Sequence, residues 1–162
     1  MALNAYLSLK GNKQGDIKGS VTQKGREGKL MIIAFNHEVV SPRDAASGLP
    51  TGKRQHKPIS VTKEADKATP LLYSALVNNE QITAWKLEFW EPSTTGAEKQ
   101  FYTIELLNAS IAGIRAEMLN NKYPENMQHR EREHITFCYQ KITWTYTDGG
   151  ISAEDDWESP VA

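Results

Sequence analysis

Hydrophobic and polar positions alternate with a period of two along most of this chain. Leu3, Ala5, Leu7 and Leu9 alternate with Asn4, Tyr6, Ser8 and Lys10, which predicts a strand with one buried face. Glycines in GNKQGD and in GREG at 25–28 mark turns. LMIIAF, Leu30 to Phe35, is apolar without alternation and predicts a strand covered on both faces. Ile59 and Val61 begin another strand. Trp85, Leu87 and Phe89 share a face of the next, which PSTTG ends. From Phe101 to Ile111 the apolar positions are Tyr102, Ile104 and Leu106, then Leu107, Ala109 and Ile111. That change of phase predicts a bulge or bend at Leu106–Leu107. Gly113 opens a strand through Ile114, Ala116 and Met118, and NNKYPEN is a turn. Ile135, Phe137 and Tyr139 then face one way, and Ile142, Trp144 and Tyr146 the other, so a bulge is expected near Gln140–Lys141. Long strands that exchange faces suit a strongly curved or closed sheet. The expected fold is mainly β: a small barrel of two packed sheets with one flanking α-helix and a long extended loop.

A period near 3.6 fits one stretch only. Thr69 suits a helix cap and Pro70 its first position. Leu71, Leu72, Ala75 and Leu76 form an apolar stripe, and Asn78–Asn79 a stop. A start near Lys63 with a break at Pro70 is the alternative, and it would set Glu64 and Lys67 at i,i+3.

Ser41 to Pro58, SPRDAASGLPTGKRQHKP, fits neither period. A compact domain rarely holds so long a structureless loop unless the loop has a job or is disordered. It carries Arg43, Lys53, Arg54, His56 and Lys57 against Asp44 alone. It reads as an arm reaching for another surface.

With 162 residues the chain is expected to build one core. Its 19 Lys and Arg against 20 Asp and Glu argue against a general nucleic-acid binder. Charge is uneven, however. Lys10, Lys13, Lys18, Lys24, Arg26 and Lys29 lie near the N-terminus, whereas residues 148–162 hold Asp148, Glu154, Asp155, Asp156 and Glu158 with no basic residue. The division expected is a domain over 1–147 and an acidic tail over 148–162, either solvated or complementary to another copy. The lone Cys138 fits folding in a reducing cytoplasm. MALNAYLSLKG lacks the pattern of a cleaved leader, so any export is expected to proceed without one.

Catalytic patterns are sparse. His129 and His134 in HREREH have the wrong spacing for a zinc helix, and on a strand their rings would point to opposite faces. No G-x-S-x-G, P-loop or G-x-G-x-x-G occurs. Neither metal nor cofactor is expected. Cys138 is expected as a small interior or interface residue, with a hydrolase built on Cys138 or a histidine as the competing reading. Glu91 and Glu105 suit a solvated sheet face. Lys86, Glu88, Arg115, Glu117, Glu131 and Glu133 suit a solvated face or the wall of an aqueous lumen between copies. A monomeric small-ligand-binding barrel is the alternative function.

Several linked pieces resemble one family. NAYLSLKG leading into IKGSVTQKGREGK, the loop PTGKRQHKP, the stretch TKEADKATPLLYSAL, then WKLEFW and ITFCYQKITWTY together resemble the haemolysin-coregulated proteins, Hcp, across residues 2–147. The resemblance implies the inner tube of a type VI secretion system. It implies a hexameric ring with a wide channel and rings stacked head to tail. It implies a contractile sheath around the tube, a spike protein at its tip, and effector proteins carried in the lumen. No enzyme activity, nucleic-acid binding or membrane insertion belongs to this picture. It places Arg43, Asp44, Thr51, Gly52, Arg54 and His56 in a ring-stacking or neighbour-subunit loop, and Glu64, Asp66, Thr69, Pro70, Leu72 and Leu76 on the flanking helix.

Overall fold

The computed structural model describes residues 4–157. The chain runs through β1 (Ala5–Gly11), β2 (Gly15–Ile17), β3 (Leu30–Asn36), β4 (Val39–Val40), β5 (Gln55–His56), β6 (Ile59–Glu64) and α1 (Thr69–Val77). It continues through β7 (Ile82–Pro92), β8 (Glu98–Leu107), β9 (Ser110–Glu117), β10 (Arg132–Cys138), β11 (Lys141–Tyr146) and β12 (Ile151–Asp156). The fold is mainly β, with one α-helix and two sheets. The large sheet has the order β12-β11-β8-β7-β1-β3-β6-β10-β9, with β2 on β1, and β4 and β5 form the small one. Every pairing is antiparallel.

The large sheet folds over on itself. Three strands separate β7 from β10, yet the Trp85 and Phe137 rings meet edge to face at 5.5 Å. Leu7, Leu30, Ile59, Leu87, Ile104 and Ile135 fill the space between the two halves. A bridge between Ile82 and Ala109 pulls the start of β7 to the β8–β9 turn, so the halves also meet at one end. The outer strands β12 and β9 do not pair with each other.

Several local expectations change. LMIIAF is covered on one face only, because Ile33 and Phe35 are exposed on the other. The phase change at Leu106–Leu107 is no bulge within one strand. Asn108 adopts φ 52, a left-handed turn conformation that asparagine tolerates, and it separates β8 from β9. The shift at Gln140–Lys141 likewise separates two strands with different partners. β10 pairs with β6 and β9, and β11 with β8 and β12. Leu3 lies outside the described residues. Cys138 is exposed, which removes its interior role.

The helix starts at Thr69, but Ala68 occupies the cap position and no side chain caps it. Thr69 Oγ1 instead accepts from the Asp66 amide at 3.1 Å, and Asp66 Oδ1 accepts from the Ala68 amide at 2.9 Å. Glu64 therefore ends β6 and Asp66 sits in the connection, so neither is helical. The alternative start at Lys63 fails for the same reason. Leu72 and Ala75 are buried and Leu76 packs beside them, whereas Leu71 turns outward. Asn79, at φ 49, closes the helix with Asn79 N–H to Leu76 O and Glu80 N–H to Ala75 O.

Two expected surface carboxylates are inside. Glu88 and Glu133 are 4% and 3% exposed. Glu88 accepts from Lys29 Nζ at 2.5 Å. Glu133 faces Lys63, which is fully buried. Lys63 Nζ donates to Asp66 Oδ1 at 2.9 Å, the Glu64 carbonyl at 3.0 Å and Thr69 Oγ1 at 3.3 Å. Glu133 Oε2 lies 3.0 Å from the ammonium, a charge contact without hydrogen-bond alignment. One cation thus ties the helix entry to β6 and β10. Removing it leaves buried Glu133 without its counter-charge and strips the partly buried Asp66 of its own, so Lys63→Ala is expected to cost about 3–5 kcal/mol in urea unfolding. A loss below about 1 kcal/mol would sink this account.

Candidate assembly arm

Residues 41–58 form an ordered β-hairpin extension, not a structureless loop. Val39 pairs with His56 and Val40 with Gln55. Further out, Thr51 N–H donates to Pro42 O at 3.0 Å, and Arg43 bridges Pro50. The tip is closed by Asp44, whose Oδ2 accepts from the Ser47 amide and hydroxyl, both at 2.7 Å. The Ser47 hydroxyl, then its amide, hold the Asp44 carboxyl below the usual range. Gly48 supplies the positive φ of 73 that lets the chain turn back. This side chain–backbone chemistry is local and shows no period, which is why the segment reads as loop.

The six expected arm residues separate into two groups. Arg43, Asp44, Thr51 and Gly52 are exposed near the tip. Arg54 and His56 are partly buried at the root, where they dock on their own chain. Arg54 grips Asp155 with two bonds, Nε to Oδ2 at 2.5 Å and Nη2 to Oδ1 at 2.8 Å, and also reaches the Asp156 carbonyl at 3.0 Å. His56 Nε2 lies 2.7 Å from the same Asp155 oxygen. Its Nδ1 is 2.7 Å from Tyr139 Oη, and His37 Nε2 approaches that hydroxyl from the other side at 2.7 Å. Trp157 covers the cluster, its indole N–H donating to the Tyr139 carbonyl at 2.5 Å and its ring 6.1 Å from that of His56.

His37, Tyr139, Asp155 and Trp157 are the members that sequence reasoning leaves out. Only the end of an alternating run at Tyr139 and the acidic stretch around Asp155 signal them. The acidic stretch is built into the sheet as β12, register Ile142↔Asp155, which aims Asp155 at the arm. The Arg54 hydrogen bond, helped by His56, keeps the Asp155 carboxyl below its ordinary 3.8. Burial raises the Tyr139 phenol far above its ordinary 10.0, so it stays protonated. Burial, then the nearby His56 charge, lower His37.

The other two histidines lie elsewhere. His134 bridges Glu117 Oε1 and Thr62 Oγ1, each at 2.9 Å, on the β6–β10–β9 face. The His134 hydrogen bond is the main cause lowering Glu117. His129 meets Arg132. Among the described residues, no three His, Cys, Asp or Glu side chains are grouped to hold a metal ion.

Asp155, depressed in the folded chain, contributes stability fully above about pH 3.8 and loses it as pH falls through the folded value. Asp155→Asn is expected to lose that acid dependence and about 1–2 kcal/mol at neutral pH, from charge-assisted hydrogen bonds. Urea titrations across pH check both. An unchanged acid limb in the variant would remove Asp155 from the role.

The model for the family "Type VI secretion system effector, Hcp" matches residues 6–146. The "Major exported protein" of Pseudomonas aeruginosa is 43% identical over all of this chain and 99% of its own length. Two solved structures superpose closely. The Hcp1 protein from the E. coli EAEC 042 pathovar has TM-score 0.86 at 33% identity, over 96% of this chain and 99% of that one. The secreted protein Hcp3 from Pseudomonas aeruginosa has TM-score 0.78 at 34% identity, over 96% of this chain and 99% of that one. The match spans the strands that build the core and the arm at its side, and by it the chain belongs to the Hcp family of type VI secretion system proteins.

Proposed function

We propose that this chain is the tube subunit of a type VI secretion system. Six copies close into a ring, and rings stack head to tail into a tube driven outward by a contractile sheath behind a spike protein. The near-full-length match to the family carries the reading. Effector proteins ride in the ring lumen. The chain works by assembly and not by catalysis, folds in the cytoplasm, and is exported. The name of the Pseudomonas relative, a major exported protein, supports the export.

The physics of the arm suits that role. A ring uses one heterologous interface that rotation closes, whereas stacking uses a second that does not close and so yields a filament. A loop that orders only on docking loses part of its binding energy to that ordering. Here the hairpin bonds and the Asp155 grip hold the arm in shape before any partner arrives. Its tip presents Leu49, 64% exposed, together with Arg43, Asp44, Thr51 and Gly52. We assign these tip residues to contact with the next ring or a neighbouring subunit.

Deleting Ala45 to Gly52 is expected to leave rings intact, because the core lies outside the arm, and to abolish stacking and export. Native mass measurement and electron microscopy of the purified variant read the two steps separately. Tubes made by the shortened protein would refute the arm's assignment, and a wild-type monomer at every concentration would refute the ring.

A further inference from the structure

Tyr139 Oη is shared by two imidazoles. His37 Nε2 and His56 Nδ1 both lie 2.7 Å from it, and a phenol brings only one proton. The far side of His56 is fixed, because ionised Asp155, held by Arg54, only accepts, so His56 Nε2 carries a hydrogen. With His56 neutral, its bare Nδ1 takes the Tyr139 proton, and the phenol oxygen accepts from His37 Nε2–H. Every donor and acceptor at the shared oxygen is then satisfied. One added proton on His56 reverses the chain: His56 Nδ1–H donates to Tyr139, and Tyr139 donates to His37 Nε2, whose ring hydrogen moves to Nδ1. That state is satisfied too, with the new charge beside Asp155. A second proton has no such arrangement. Both rings would then aim N–H groups at one oxygen, the buried phenol proton would lose its acceptor, and two cations would face each other across it.

We propose that His37, Tyr139 and His56 form a latch at the arm root that holds one imidazolium but not two, so that acidification frees the arm hairpin from the folded-over sheet. The elements packed on the cluster supply its remaining charges and titratable groups. Arg54 precedes β5, Cys138 ends β10, and Asp155 and Asp156 end β12. Of the two imidazoles, His56 meets the Asp155 carboxylate and His37 meets none among its bonded partners. Burial and the His56 charge depress it, so the docked arm binds fewer protons than the released arm. The hold is therefore complete above the ordinary histidine value of 6.5 and weakens as pH falls below it. The latch concerns the arm's grip on its own chain and goes beyond the assembly reading.

Amide hydrogen exchange of the full chain from pH 8 to pH 5, corrected for the chemical exchange rate, tests this. Thr51 and Lys57 N–H, bonded to Pro42 O and Glu38 O, report the hairpin, which loses its support when the root lets go; Arg54 Nε–H, bonded to Asp155, reports the root directly, and core amides of β7 serve as the control. Arm opening is expected to rise by up to about tenfold per pH unit below 6.5, while β7 stays protected. His37→Gln, which cannot charge, is expected to flatten that rise. Arm protection that ignores pH in the wild type, or an unchanged rise in the variant, would overturn the latch. Should the variant not fold, ring-proton titrations of wild-type His37 and His56 decide. Separate steps with His37 the lower support the latch, and two independent, superimposed titrations overturn it. Native mass run alongside separates the two readings. A monomer with a pH-released arm supports the latch and defeats the ring, whereas rings with a pH-indifferent arm do the reverse.

Discussion

The folding of one antiparallel sheet over itself is the constraint from which the rest follows. Twist accumulates along the ladder until β7 and β10 face each other, and Trp85 against Phe137 fills the gap. Once the halves are closed, the chain must cross from one to the other. It does so at Tyr139–Gln140, between β10, paired with β6, and β11, paired with β8. That crossing carries Tyr139 to the surface end of the core, and β12, added outside β11, brings Asp155 beside it. The arm leaves β3 and returns into β6, the strand next to β10. Its root therefore lands on the crossing. The docking cluster is a consequence of sheet closure, not an independent attachment.

Inside that frame, buried charge fixes alignment more than it adds stability. Lys63 sits fully buried against Asp66 and Glu133, and replacing such a set by well-packed apolar groups is often neutral or favourable. What the ions supply is position: any slip of the helix entry relative to β10 separates charges in a dry site. A second constraint of this kind operates at the other helix end. Buried Glu80 accepts from Lys13 N–H at 3.2 Å and Gln14 Nε2 at 3.0 Å. A Cβ at Gly11 would fall 2.1 Å from Glu80 Oε2, so a larger residue there would push the carboxylate off these donors. The helix is thus held at both ends by polar groups that tolerate little displacement.

The strands were legible in the sequence because alternation records a physical fact, burial on one side. Leu7, Leu9, Trp85, Leu87, Ile135 and Phe137 all reach the core as their spacing implies. Composition alone misled at LMIIAF, where Ile33 and Phe35 remain outside. It misled again at two charged strand positions, where Glu88 and Glu133 are buried because each has an opposite charge to meet. Phase changes were read correctly as interruptions but assigned too weak a cause. A left-handed Asn108 and a change of strand partner end the strands outright. The arm cluster was half legible. Arg54 and His56 stand out in a basic loop, whereas Asp155 lies about a hundred residues away, and nothing local encodes that β12 register brings it back.

This pairing also reallocates the arm's charge. The basic loop and the acidic end of the chain invite the expectation that copies attract each other through these two segments. Arg54 and Asp155 satisfy one another within the chain, in two short bonds with both side chains partly buried. A grip of that geometry is already made and partly desolvated, so exchanging it for the same contact on a neighbour gains little. What the arm offers outward is the remainder: exposed Arg43, Lys53 and Lys57 and the apolar Leu49 at the tip. Exposed charges of this kind steer encounter and set register, and their strength falls with salt. On the proposed assembly role, affinity is expected from seating Leu49 and the backbone of a hairpin already in shape. In that proposed role, an arm tied down at its root and charged at its tip suits the alignment of a partner, with little left to spend on ordering itself.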